Sequence, residues 1–172
     1  MIMSTIFPEA DITEGLKSAM RLCAAGVTVI TAGKGDERRG LTATAFTSVT
    51  MDPPTVLVCV NRNGQAHDAI VENGHFCVNI LCEASRDVAE SFAGMTGKEG
   101  ADQFEGFEWI ETSVGAPAYA FAQAAVACTL TQAMEAGSHS IFIGEVQEAA
   151  TNPDRSPLLY FNRGFHAVGA LK

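Results

Sequence analysis

Between Val27 and Asn61 three strand-like stretches follow one another with no room for a helix between them, and this limits the possible folds more than anything else in the chain. Val27 to Ala32 is rich in β-branched residues. Gly33-Lys34-Gly35-Asp36 then turns the chain into Gly40 to Met51, and Asp52-Pro53-Pro54 leads into Thr55 to Asn61. Parallel neighbours need a crossover of about a dozen residues or more, so links this short make antiparallel pairs. Thr55 to Asn61 is almost wholly apolar and is expected to be buried on both faces. The middle stretch is expected to be a buried hairpin strand, yet it carries hydroxyls at Thr42, Thr44, Thr47, Ser48 and Thr50. An apolar setting charges a few kcal/mol for each hydroxyl left without a partner, about 1–3 by mutational measures. Either the segment receives a polar ligand, for which a phosphorylated planar cofactor is the natural candidate, or its hydroxyls bond to neighbouring strands and water.

The remaining pattern alternates helices and strands sparingly. Ile12, Leu16, Ala19, Met20 and Cys23 recur at helical spacing, with Thr13 and Glu14 near the start and Gly26 beyond the end. A short helix is expected over 66–71, stopped by Asn73-Gly74, then a strand over 75–81 and a helix over 84–93. Residues 94–108 are Gly-rich and charged, and are expected to form a mobile surface loop. Strands are then expected around Val126 to Thr131, Ile141 to Val146 and Leu158 to Phe161. About seven strands with short links and two or three helices give a mainly β fold, an antiparallel barrel in one domain spanning 1–172.

Composition removes several functions. A net charge of −9 with no Lys/Arg-rich run excludes a nucleic-acid surface. The uncharged run 112–134 falls short of a membrane span because of Pro117, Gln123, Gln132 and its many Ala and Thr residues. Lys17 is the first basic residue and follows Glu9, Asp11 and Glu14, so no basic leader is read and the expected location is cytoplasmic. The five cysteines, Cys23, Cys59, Cys77, Cys82 and Cys128, are odd in number and scattered, and read as reduced core residues. His67, His75, His139 and His166 lack metal-ligand spacing, so no metal is expected. The Gly94, Gly97 and Gly100 series has Lys98 followed by Glu99 and is no phosphate loop. Neither a Rossmann glycine motif nor a Gly-x-Ser-x-Gly elbow occurs.

What remains is an ordered series: Thr42 to Thr50, Cys59-Val60-Asn61-Arg62, Phe76-Cys77-Val78-Asn79, Ser91-Phe92-Ala93-Gly94, Gly137-Ser138-His139, and Leu158 through Arg163. Over roughly 14–168 this series resembles the flavin reductase family, the small reductase components of two-component flavin-dependent monooxygenases, nearest to those serving 4-hydroxyphenylacetate 3-monooxygenase and similar aromatic hydroxylases. The resemblance implies an FMN-binding split β-barrel of antiparallel Greek-key type, usually a homodimer. It implies reduction of FMN or FAD by NADH or NADPH, with the reduced flavin passed to a monooxygenase partner.

Residue by residue, the resemblance places the flavin against Thr42, Ala43 and Thr44 and against Ser48, Val49 and Thr50, with Cys59 on the next strand. It sets Asn61 and Arg62 around the flavin tail, Gln65 and Ala66 where many relatives offer a hydroxyl to the phosphate, and Phe92 and Ala93 where a helix end abuts the flavin. Tyr160 and Arg163 close the site. His139 is implied near the reactive face, to orient the nicotinamide or manage a proton, although Ser138 stands where many relatives carry an aspartate. The rival classes are a split-barrel flavin or haem binding protein or electron carrier without catalysis, and a pyridoxamine-phosphate oxidase-like enzyme.

Overall fold

The structure is a computed structural model that describes residues 11–168; the acidic start read at Glu9 lies outside that range. Helix α1 (Ile12–Arg21) begins at Asp11, whose carboxylate accepts from the amides of Thr13 and Glu14. Then come β1 (Ala25–Gly26), β2 (Thr28–Ala32), β3 (Arg39–Ala43), β4 (Phe46–Met51) and β5 (Pro54–Asn61). Helix α2 (Gln65–Asn73) ends on Gly74 at φ +67°, a left-handed position that glycine takes without a Cβ clash. Strand β6 (His75–Ile80), helix α3 (Arg86–Phe92) and the short pair β7 (Trp109–Glu111) and β8 (Pro117–Tyr119) follow. The chain finishes with the long hairpin β9 (Ala124–Ala136) and β10 (His139–Thr151), then β11 (Leu158–Phe161) and β12 (Gly164–Ala167).

Seven strands pair in the order β3-β2-β6-β9-β10-β5-β4, every pair antiparallel. Strands β3 and β4 are consecutive in the chain but form opposite edges of this sheet. Only Thr44 and Ala45 join them, so Ala43 and Phe46 lie within about 11 Å of each other. The sheet therefore curls until its edges meet, joined by chain and not by a ladder. This is the split barrel.

The single buried strand expected over 40–51 is thus two strands. Both are far less buried than expected: β3 is half-buried throughout, and β4 is exposed from Thr47 to Met51 because it is an edge. Strand β5 also departs from expectation. It alternates, with Val56, Val58 and Val60 inside and the residues between them half-buried or exposed, since only its inner face meets the core. Strand β2 is covered on both sides: Ile30 joins the barrel interior with Val58, Phe76 and Phe142, while Val29 joins an outer cluster with Leu81, Val88 and Phe92.

The expected mobile loop over 94–108 is anchored. A 3-10 turn at Gly100–Phe104 drives Phe104 into the outer cluster, where its ring meets Phe92 edge-on at 4.7 Å and Trp109 at 4.8 Å. Ser91 Oγ donates to the Gln103 carbonyl, and Gln103 Nε2 donates back to the Ser91 carbonyl. Single aromatic anchors without periodicity give no sequence signal, yet each buries a large area. Helix α1 has the opposite surprise: its amphipathic spacing is real, but it buries no residue, leaving Ile12, Leu16 and Met20 exposed. All five cysteines are unpaired, and Cys23 is exposed, not in the core.

Candidate functional site

Strand β3 is an edge strand with two cavities along it. The first, about 340 Å³, lies at its start between Arg39-Gly40-Leu41 and the end of β5, and is bordered by Asn61, Gln65 and Ala66. The second, about 380 Å³, lies at its end, bordered by Thr42, Ala43 and Thr44 with Ala93, Tyr160 and Arg163. Gly94 borders the first and its two neighbours border the second, so the two spaces adjoin where α3 ends.

The first cavity has the chemistry of an anion site. It sits at the N-terminus of α2, whose N-cap is Gly64 with no side-chain cap; the His67 amide donates to the Gly64 carbonyl, while the Gln65 and Ala66 amides have no helical acceptor and the positive end of the helix dipole faces the space. Arg39 and Lys98 border it together with Glu99, and Lys98 Nζ also lies 3.5 Å from the Glu105 carboxylate. Arg39 is held by donating from Nη1 to the carbonyls of Asp36 and Arg38. Gly40 belongs to this wall as well; a Cβ there would come within 2.6 Å of the Phe92 ring. The second cavity is apolar and aromatic, with Val27, Met95 and Phe165 beside the residues already named. A planar ring fits its character, and no carboxylate borders it.

Nine of the expected site residues therefore border the two cavities: Thr42, Ala43, Thr44, Ala93, Tyr160 and Arg163 in one, Asn61, Gln65 and Ala66 in the other. The others stand elsewhere. Ser48, Val49 and Thr50 lie exposed on β4, across the joint at Thr44-Ala45. Cys59 is half-buried on β5, opposite Ile141. Arg62, expected beside the phosphate, pairs with Glu135 at 2.9 Å across the neighbouring hairpin, because the turn after β5 directs it there. Phe92 is 4 % exposed and packs on Phe104 and Trp109. His139 is exposed at the start of β10, directly opposite Asn61 in the β5-β10 ladder, with Ser138 Oγ 2.9 Å from its Nδ1.

The hydroxyls divide in two. Thr42 Oγ1 donates to the Ala89 carbonyl at 2.7 Å, which ties β3 to α3, and Thr50 bonds within its own turn at Asp52. The hydroxyls of Thr44 and Ser48 have no hydrogen-bond partner among the described residues, and both residues are exposed at the joint. Sequence reasoning missed Arg39, Lys98, Arg86 and Met95 as bordering residues. Lys98 stands in the glycine series that fails as a phosphate loop, and Arg39 heads the hydroxyl-bearing strand in an acidic chain, which was the available signal.

Comparison with known proteins shows the family and the fold. Residues 20–169 match the flavin reductase like domain family. The chain is 36% identical over 162 residues to the FMN reductase (NADH) RutF of Pseudomonas syringae pv. syringae, covering 94% of this chain and 90% of that protein. It is 35% identical over 155 residues to the 4-hydroxyphenylacetate 3-monooxygenase reductase component of Pseudomonas aeruginosa, covering 90% and 91% of the two chains. Among solved structures it is similar to the Streptomyces globisporus NADH:FAD oxidoreductase SgcE6 in complex with NAD and FAD fragments, with a TM-score of 0.84, 33% identity, and 94% and 95% coverage. The fold is likewise close to BorF, the flavin reductase component of a bacterial two-component tryptophan halogenase, with a TM-score of 0.83, 34% identity, and 92% and 99% coverage.

Proposed function

The chain belongs to the flavin reductase family, and from that premise we propose how its two cavities divide the work of an NAD(P)H:flavin oxidoreductase. The enzyme reduces FMN or FAD with a nicotinamide hydride donor and releases the reduced flavin for a partner monooxygenase. One observation carries the division of labour: the two adjoining cavities along β3 differ in chemistry, one cationic at a helix N-terminus and the other apolar and aromatic. From Gly40 to Thr44 the strand rises about 13 Å, enough for a ring and its ribityl phosphate arm to lie along it.

The residues present suit a flavin, which supplies the hydride chemistry when bound. The phosphate goes to the α2 amides, Arg39 and Lys98, where a charge-assisted bond is about twice as strong as a neutral one. The ring goes beside Thr42 to Thr44, and the unpartnered Thr44 hydroxyl bonds its polar edge. Tyr160, Met95 and Phe165 exclude water from its face. His139, beside Asn61 at the rim, orients the nicotinamide, and Ser138 fixes its imidazole through Nδ1. Arg62 steadies the β9-β10 hairpin through Glu135.

The working unit proposed is a homodimer in the cytoplasm. Ile12, Leu16 and Met20 are 86%, 62% and 59% exposed along one face of α1, and Met51 on β4 is 75% exposed, more apolar surface than an isolated subunit hides well. The unpaired cysteines fit a reducing compartment. No helix among the described residues is long and apolar enough to cross a membrane; much of the uncharged run 112–134 forms β8 and β9.

The test is steady-state NADH oxidation with and without added free flavin, beside sedimentation of the purified protein. Turnover that depends on added flavin, in a dimer, is expected. A firmly bound flavin without turnover would make the protein an electron carrier, and a stable monomer that reduces flavin would end the dimer proposal.

A further inference from the structure

Strands β11 and β12 are joined by Asn162 and Arg163 alone, at φ +46° and +66°. Phe161 pairs with Gly164, so this is a two-residue hairpin with both central residues left-handed, the type I′ form. Asn suits the first position and glycine the second. The sequence instead puts its glycine one residue later and holds an arginine where a Cβ is strained. Strain of this kind persists where surrounding structure enforces it and function uses it.

Arg163 borders the apolar cavity at the end of β3. Arg86 borders it too, but its guanidinium is paired with Glu90 at 2.7 Å and lies over the Phe165 ring at 5.5 Å. Arg163 has no ion pair or hydrogen bond among the described residues, and no Asp or Glu borders the cavity, in a chain with 20 acidic and 11 basic side chains. The cavity thus holds one uncommitted positive charge beside the space assigned to the flavin ring, while the flavin phosphate has its own cations in the other cavity.

Hydride transfer creates the charge that this cation meets. A dihydronicotinamide C–H bond breaks, both its electrons leave with the hydrogen, and an N–H bond forms at flavin N5. The nicotinamide becomes a cation, and the flavin becomes an anion with its charge spread over N1 and the C2 carbonyl oxygen. We infer that Arg163 is the countercharge for the anionic reduced flavin, held in a strained turn so that its N–H groups donate to that edge. This rests on the ring lying in the cavity beside Thr42 to Thr44. The interaction is stronger with the reduced than with the oxidised flavin, so it favours the chemical step and not merely binding.

The experiment measures dissociation constants of oxidised and anaerobically reduced FMN, with thermal unfolding, for the parent and for Arg163→Met, Arg163→Lys and Arg163→Gly. In Arg163→Met, reduced FMN is expected to bind about tenfold or more weakly, the loss of one charge-assisted bond, and oxidised FMN within about threefold of the parent. Arg163→Lys should keep most of the preference for reduced FMN. Arg163→Gly should lose it while unfolding at or above the parent Tm, because glycine relieves the turn. Equal weakening of both redox forms in Arg163→Met, or a clear fall of Tm in Arg163→Gly, would overturn the inference. Thr44→Trp, which fills the exposed mouth of the cavity, tests the underlying placement: abolished FMN binding supports it, and unchanged binding overturns both.

Discussion

Replacing Gly40 by alanine puts the smallest possible side chain at the point where the flavin groove rests on the outer core. The new Cβ would lie 2.6 and 2.8 Å from two carbons of the Phe92 ring and 3.1 Å from the Ile30 carbonyl oxygen. Ordinary carbon contacts are about 3.5 to 4.0 Å, so roughly 1 Å must be found. Phe92 has nowhere to retreat, being 4 % exposed with the Phe104 ring at 4.7 Å and Trp109 at 5.5 Å. Overpacking of this kind costs about 1–3 kcal/mol. With an unfolding entropy near 2.1 cal/mol/K per residue, a chain of 172 residues loses about 3 to 8 °C in Tm. Thermal unfolding followed by circular dichroism reads this directly. Phe92→Leu should cost stability alone, yet restore much of the loss in the Gly40→Ala background, giving a coupling of about 1 kcal/mol or more. It should leave the flavin dissociation constant within about threefold of the parent. Additive effects on Tm, or a large loss of flavin affinity in Phe92→Leu, would show that the ring serves the ligand and not the packing.

Thr44→Val with Ser48→Val should raise the flavin dissociation constant about tenfold or more, since each hydroxyl is without a protein partner and each lost bond is worth about 0.5–1.5 kcal/mol; unchanged affinity in the folded double variant would remove both from the site. His139→Ala should slow stopped-flow reduction of flavin by NADH by about 100-fold or less, with flavin affinity changed only a few fold; a variant as fast as the parent would make this histidine structural. His75 has its pKa lowered from 6.5, first by burial and then by the Lys34 charge, and its Nδ1 is buried without a partner. The unfolded chain then binds a proton that the folded one refuses, so stability falls as pH drops from 6.5 toward the lowered value. His75→Gln should flatten urea-denaturation midpoints across that window, and an unchanged pH slope would refute the assignment.

The antiparallel class was legible because it follows from link length, which a sequence displays openly. The helix boundary at Asn73-Gly74 was legible for a similar local reason: glycine is needed where φ turns positive. The corner at Thr44-Ala45 was not, since it contains neither Gly nor Pro and itself prolongs the alternation of Leu41-Thr42-Ala43 before it. Nothing local tells a strand that its successor lies six places away in the sheet. Site residues drawn from one segment, such as Thr42 to Thr44, were found together. Those defined by distant partners were not: Arg62 is claimed by Glu135, 73 positions away, and the Thr42 hydroxyl by Ala89, 47 positions away. Arg39, Lys98 and Arg163 share a groove only because the rolled sheet and the α3 region bring their segments to one edge.

The joint at Thr44-Ala45 couples the working cycle to the lifetime of the protein. Two strand edges closed by chain alone have no ladder to hold them, so opening is expected to be easiest there, where the proposed ligand rests as a removable stave. A ligand that binds only the closed form adds RT ln(1 + [L]/Kd) to its stability, so a full site resists opening and an empty one does not. An enzyme that gives away its flavin at every turnover loosens this joint each time. Flavin supply would then govern how quickly proteases clear idle copies as well as how fast the enzyme works, and amide exchange along 42–50 would report occupancy in both settings.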